Sequence, residues 1–156
     1  MIILQIKEEM KLRKFEEALS LIEQIPENFM TSEILILKGL CIQLSENLKY
    51  DLKDAELSLK KAIELDSNNL DAKMELGWFY YNVLNESEES YHLFGQALED
   101  IQSKLTELLE GFMKINLESS SYFDAKQFIV NYTNLILQNE KIKILIADNE
   151  SLRESI

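Results

Sequence analysis

The chain of 156 residues is 46% hydrophobic and carries 28 acidic against 16 basic residues, a formal net charge of -12. That length and apolar content bury one domain-sized core without a second domain. A field of this sign repels phosphate backbones and anionic headgroups, so nucleic acid and membrane surfaces are not expected partners; a basic protein would be attracted, and solubility is the plainer use of the charge.

Apolar residues recur at helical spacing along the chain, and the breaks fall where turn residues cluster. With one proline, Pro26, and only four glycines, an all-α body with short turns is expected. Nine helices are predicted. The first spans Ile2 to about Lys11 and the second Phe15 to Gln24, ended by Pro26 and Asn28. Thr31 or Ser32 caps a third that runs to Leu44 and leaves through Ser45, Glu46 and Asn47. A fourth, about Asp51 to Leu65, sets Leu52, Ala55, Leu59, Ala62 and Ile63 on one face. After the turn at 66–69 a fifth covers Leu70 to Leu84, and after Asn85 to Ser87 a sixth ends near Asp100. Ser103 caps a seventh reaching Leu117, and the serines at 119–121 lead to an eighth from Tyr122 to about Gln138. A ninth, Glu140 to Arg153, places Ile142, Leu145, Ile146 and Leu152 on one side.

Cys41 is the single cysteine and lies in the apolar run from Ile34 to Leu44. It is expected to be a buried structural thiol, and its solitude excludes an intramolecular disulfide and a cysteine-based zinc site. The apolar start, Met1 to Ile6, is followed at once by Lys7, Glu8 and Glu9. That is too short for a signal-peptide core or a membrane span, so a cytoplasmic location is expected.

Small residues add a longer rhythm. Ala55 and Ala62, seven apart, stand between Gly39 and Gly77; Ser90 and Ala97 repeat the pair 35 residues on, Ala125 follows after another 35, and Gly111 lies 34 after Gly77. A helical pattern with this period marks stacked hairpins, because one hairpin cannot bury its own apolar face. Four units are expected, at about 1–30, 31–69, 70–102 and 103–138, closed by a capping helix at 140–153.

The stretch from Leu70 to Glu99 resembles a tetratricopeptide repeat. Leu76, Gly77 and Tyr80 match the leucine-glycine pair and following aromatic of that family's first helix, and Ser90, Phe94 and Ala97 match the small-bulky-alanine pattern of its second. The preceding unit offers Gly39, Ala55, Leu59 and Ala62, with Ser67 where the family usually has proline; the following one offers Gly111, Tyr122, Ala125 and Ile129, with Tyr132 where an alanine belongs. The first unit keeps only Phe15, Ala18 and Ile22. Sixteen residues separate Gly39 from Ala55 where the family has 12, so the turn around Ser45 to Tyr50 is expected to be longer. The resemblance implies a right-handed α-solenoid of about four such hairpins plus a C-terminal capping helix.

Few residues suggest chemistry. His92 is the only histidine; Glu89 and His92 have the spacing of half a di-iron helix motif, but the second pair such a site needs cannot exist. Phosphate-cradling glycine loops and nucleophile elbows are absent from the sequence. Carboxylate groups such as Glu107 with Glu110, and Glu86 with Glu88 and Glu89, suit solvated helix faces better than acid/base pairs. No enzyme activity, cofactor or metal is expected.

In tetratricopeptide arrays the first helix of each hairpin lines a concave groove. Carried over, the resemblance puts Ile36, Leu40, Gln43 and Leu44 there from the second unit, Asp71, Met74, Trp78, Tyr81 and Asn82 from the third, and Leu108, Phe112, Ile115 and Asn116 from the fourth. Leu40, Trp78 and Phe112 stand where chaperone-tail-binding members carry asparagine, so a carboxylate clamp is not expected. Met74, Trp78 and Tyr81 share one helical stripe while Leu76, Gly77 and Tyr80 take the packing face; such a helix is either buried on both sides or half-covered by a ligand. The leading expectation is a non-enzymatic protein-binding module, monomeric or weakly dimeric, that takes a peptide or helix of a partner in this groove. The alternative is a dedicated inhibitor, such as an immunity protein against a basic toxin, or a secretion chaperone, acting through acidic residues such as Glu86, Glu88, Glu89 and Glu107.

Overall fold

The computed structural model describes residues 2–46, 49–118, 126–127, 129–132, 143–144 and 147–148. Ala125 and most of the eighth and ninth expected helices lie outside these residues. All regular structure among the described residues is helical, with no strand.

Local signals set the helix ends. Helix α1, Ile2–Lys11, stops where Arg13 turns left-handed at φ 60°, with Arg13 N–H donating to the Met10 carbonyl and Lys14 N–H to that of Glu9, both at 2.9 Å. These two bonds satisfy carbonyls that the helix end would otherwise leave unpaired. Helix α2 is Phe15–Glu23, and Pro26 then leads into a short 3-10 turn, Glu27–Phe29. Helix α3, Ser32–Leu44, is capped by Thr31, whose hydroxyl oxygen accepts from Ile34 N–H. Helix α4, Leu52–Leu65, opens on a reciprocal capping box in which Asp51 and Asp54 each accept the other's backbone N–H at 3.0 Å. Helix α5, Leu70–Phe79, is capped by Asn69 and passes without a break into a π-helical turn, Tyr80–Leu84, ended by Asn85 at φ 58°.

The sequence predicts a turn between Asp100 and Ser103; none exists. Helix α6 runs unbroken from Ser87 to Glu118. The reason is physical: Ala97, Ile101, Leu105 and Leu109 keep helical spacing through the expected break, and neither glycine nor proline stands between Gln96 and Glu110. A serine inside a helix costs only a fraction of a kcal/mol, roughly 0.5, too little to stop one that buries Ala97 before the expected break and Leu109 after it. Internal contacts divide the chain into two units, Met1–Leu98 and Glu99–Ile156, with α6 contributing residues to both.

In the first unit, α1 packs on α2 and α3, α2 packs on α3, α3 packs also on α4 and α5, and α4 packs on α5. The core is made of Ile6, Leu19, Ile22, Cys41, Leu59 and Phe79, all essentially inaccessible to solvent. Helices α3 and α4 approach one another closely at Gly39. A Cβ on Gly39 would lie 2.8 Å from Leu59 Cγ and 3.2 Å from the Ala55 carbonyl oxygen, so the absence of a side chain permits this contact. Polar atoms fix the same helices at their ends. Ser32, at the start of α3, donates its hydroxyl to the Ala62 carbonyl at 2.8 Å, and Asn69 Nδ2 donates to Ser32 Oγ at 3.0 Å. Because Asn69 Oδ1 also accepts Ala72 N–H, one side chain caps α5 and ties it to the other two helices.

The longer turn between α3 and α4 is anchored on α2. Glu23 accepts from Lys49 Nζ and from the Tyr50 hydroxyl, each at 2.7 Å, and Lys38 lies 5.2 Å from the centre of the Tyr50 ring. These donors hold the Glu23 carboxyl below its ordinary range. In the second unit Leu109, Met113 and Ile129 are buried.

Replacing Gly39 with alanine drives a methyl into Leu59 and should destabilise the protein by about 1 to 3 kcal/mol. Gly95 is helical with no atom of the described residues within 4 Å of an added Cβ, so alanine there should stabilise by about 0.5 to 1 kcal/mol. Urea unfolding of the two variants checks the pair; equal midpoints would show that the α3–α4 approach does not depend on the glycine.

Candidate functional site

Helix α5 has two faces of opposite fate. Ala72, Leu76 and Phe79 are buried, and with them Gly77 and Tyr80. Met74, Trp78 and Tyr81, at spacings of four and three, stay 39%, 47% and 54% exposed. A half-exposed tryptophan leaves a large apolar surface in water, and covering such a side chain is worth roughly 1.5 to 3 kcal/mol.

Trp78 is held in place. Its ring meets Phe94 of α6 edge-on, centroids 5.0 Å apart at 70°, and Tyr81 at 6.3 Å and 67°, geometries in which a ring edge faces a π cloud. Phe94 also lies over Gly77, where an added Cβ would come within 3.1 Å of the ring. Gly77 therefore lets Phe94 come close enough to brace the tryptophan. Together with Ser87, Ser90 and Tyr91, these three rings line a surface depression of about 380 Å³.

The π-helical turn contributes to this geometry. The Tyr80 carbonyl accepts from both Asn85 N–H and Glu86 N–H, closing a wider loop than an α turn. Wide turns of this kind recur at functional sites. On the buried side, the Tyr80 hydroxyl donates to Glu56 Oε1 at 3.0 Å, and Lys60 Nζ reaches the same oxygen at 2.6 Å. Lys60 first and Tyr80 after it lower the Glu56 carboxyl below its usual range, whereas burial raises the Tyr80 phenol.

The expected groove residues separate into groups. Ile36 is a core residue, only 8% exposed, so it does not line a groove; its α3 position faces the packed interior. Leu40 is partly buried against the same core, Gln43 is half-buried with its Nε2 lacking a hydrogen-bond partner, and Leu44 is exposed. Asp71, Met74, Trp78, Tyr81 and Asn82 are exposed. In the second unit Leu108, Phe112 and Ile115 are exposed along α6, while the side chain of Asn116 lies outside what is described. An added Cβ on Gly111 would meet nothing within 4 Å among the described residues, unlike the crowded positions at Gly39 and Gly77.

Sequence reasoning passed over Tyr91 and treated Phe94 as packing alone. The signal was present: Ser87, Tyr91 and Phe94 recur at four and three on α6, matching the stripe on α5. Elsewhere, burial and then Glu16 push the Cys41 thiol up to about 12, so it stays protonated and unreactive at neutral pH. His92 is exposed and lines a separate depression of about 430 Å³ with Lys60, Tyr80, Glu88 and Glu89. Among the described residues, no group of three or more His, Cys, Asp or Glu side chains is arranged to hold a metal ion, and no helix is long and apolar enough to cross a membrane.

Comparison with protein-family models, curated proteins and solved structures returns no match to this chain.

Two carboxylates share the exposed stripe of α5. Glu75, one turn before Trp78, is half-buried, and its carboxyl is pushed above the ordinary 4.5 by burial and then by the negative charge of Asp71. A charged Glu75 therefore opposes folding at pH values above its raised pKa, and the penalty fades as pH falls through that value and vanishes below 4.5. Glu75→Gln should accordingly raise the melting temperature at pH 7 and leave it nearly unchanged at pH 4. Melting curves across that range provide the check, and an equal shift at both ends would contradict this origin.

Proposed function

We propose that this chain is a non-enzymatic protein-binding module which takes a peptide or helical segment of a partner on the face of α5 that carries Met74, Trp78 and Tyr81. The single observation behind this reading is Trp78: a large aromatic group on a helix that buries its opposite face, braced by Phe94 and Tyr81 yet about half open to solvent. Braced aromatic groups of this kind dominate interface energies, because little freedom is lost when they are covered.

The neighbour order of the first unit supports a tetratricopeptide-like solenoid as the scaffold. The first-type helices contact one another in turn, α1 with α3 and α3 with α5, and α1 and α3 also contact their hairpin partners α2 and α4, while α5 meets α6 through Trp78 and Phe94. Gly39 against Leu59 and Ala55, and Gly77 against Phe94, supply the close contacts on which that resemblance rests. The unbroken α6 means that a regular fourth hairpin beginning near Ser103 is not part of the proposal.

Selection of displayed random peptides on the purified protein tests the function. Apolar or aromatic anchors should be enriched, and selected peptides should lose at least about tenfold in affinity on Trp78→Ala with helical content unchanged. Peptides that bind Trp78→Ala as tightly as the parent, with binding that collapses in salt, would replace this reading with one based on the acidic surface.

A further inference from the structure

Charge is distributed very unevenly along the first unit. Residues 1–61 carry eleven carboxylates and nine cations, whereas residues 62–98 carry seven carboxylates and one cation, Lys73. Many of the early cations are paired with carboxylates, as in Lys7 with Glu33, Lys49 with Glu23, Lys60 with Glu56 and Lys61 with Glu27. The Lys73 side chain is buried. The segment that builds the aromatic depression therefore presents no exposed lysine or arginine.

Within that segment the aromatic and acidic groups share surfaces. Asp71 and Glu75 precede Trp78 by seven and three residues on α5, one stripe of the helix. Glu86 and Glu88 are the sequence neighbours of Ser87, which lines the depression, and Glu88 itself lines the separate depression beside His92. The lining itself is mostly ring carbon, from Trp78, Tyr81, Tyr91 and Phe94. Purely apolar ligands would fill the depression but leave the surrounding negative field unanswered. An anionic ligand would be repelled, and a second copy of this chain would bring its own net charge of -12.

A guanidinium group answers both features. It is planar, weakly hydrated and able to stack on an aromatic face while its edges donate to carboxylates, and attraction to a ring's π cloud is strongest for tryptophan. We infer that the Trp78–Tyr81–Tyr91–Phe94 depression receives an arginine side chain from a basic segment of another protein. This rests on the reading of the same face as a protein-binding surface and specifies what occupies it. Asp71 and Glu75 supply the field that draws the segment in, and the rings supply the seat. Tyr91, 83% exposed, can swing against the bound cation without disturbing the core.

Trp78 is the only tryptophan in the chain, so its emission reports directly on the depression. The probes are three blocked hexapeptides of alternating leucine with arginine, with citrulline, which keeps the shape and lacks the charge, and with glutamate. The arginine peptide should change Trp78 emission saturably, the citrulline peptide should bind about tenfold more weakly, and the glutamate peptide should not bind. Tyr91→Ala should weaken the arginine peptide several-fold with an unchanged melting curve, and Asp71→Asn with Glu75→Gln should reduce its salt dependence. Equal binding of the arginine and citrulline peptides would overturn the inference while leaving an apolar docking face intact. No response of Trp78 to the arginine peptide up to about 1 mM would also overturn it, whatever the display selection yields. Emission that shifts with protein concentration alone, together with dimers in sedimentation, would place a second copy on this face and overturn it as well.

Discussion

The contact between α3 and α4 at Gly39 is the constraint on which the first unit depends. With hydrogen in place of a side chain, the Leu59 side chain and the Ala55 carbonyl can close on the α3 backbone. That closeness aligns the start of α3 with the end of α4, where the Ser32 hydroxyl meets the Ala62 carbonyl and Asn69 joins both to α5. Apolar packing sets the distance, and the hydrogen-bonded junction sets the register. Loosening the first would pull apart the second, since a buried hydroxyl and a carboxamide require partners within about 3 Å.

Fixing α5 in this way divides its residues between interior and solvent. Phe79 and Leu76 enter the core and Tyr80 bonds to Glu56, so Met74, Trp78 and Tyr81 are turned outward by geometry rather than by polarity. The exposed aromatic stripe is thus a consequence of how the other side is packed. Phe94, brought over Gly77, then lies edge-on against the Trp78 ring and covers part of it. Glu75 sits on this face at a cost: burial first, and then the charge of Asp71, raise its carboxyl above the ordinary value, and a cationic neighbour would relieve it.

Much of the first unit was legible from sequence because its punctuation is chemical. Thr31, Asp51 and Asn69 are short polar side chains that accept backbone N–H groups, and each stands at the residue before a run of helical apolar spacing. The split of α5 into a buried and an exposed stripe follows from the same spacing. What could not be read has equally specific causes. Ser103 has the chemistry of a cap but no breaker beside it, so the continuing series Ala97, Ile101, Leu105 carries the helix through. Ile36 looked outward only because a repeat register was extended to a helix with no polar face: α3 is apolar on most sides, and four neighbouring helices bury it. The π turn leaves no residue-type signature, since Tyr80 to Leu84 would suit an ordinary helix, and the spacing that sets Ser87, Tyr91 and Phe94 on one stripe acquires its meaning only when α6 is brought beside α5.

That π turn sets how the chain tolerates changes in length. Each residue of an α-helix advances the next by about 100°, but a π turn holds one residue more than an α turn, so losing one residue between Tyr80 and Leu84 would tighten it to a regular helix with little change of direction, whereas losing a second would swing Asn85 and the approach to α6 around the axis. Phe94 would no longer arrive over Gly77. The turn between α3 and α4, by contrast, is held by side chains of Lys49 and Tyr50 reaching to Glu23, and long flexible side chains absorb an added or missing residue. Changes of length should therefore be accommodated beside Lys49 and Tyr50 and limited to the loss of one residue at 80–84, which makes the five-residue turn the part of this surface whose length, more than its composition, is constrained.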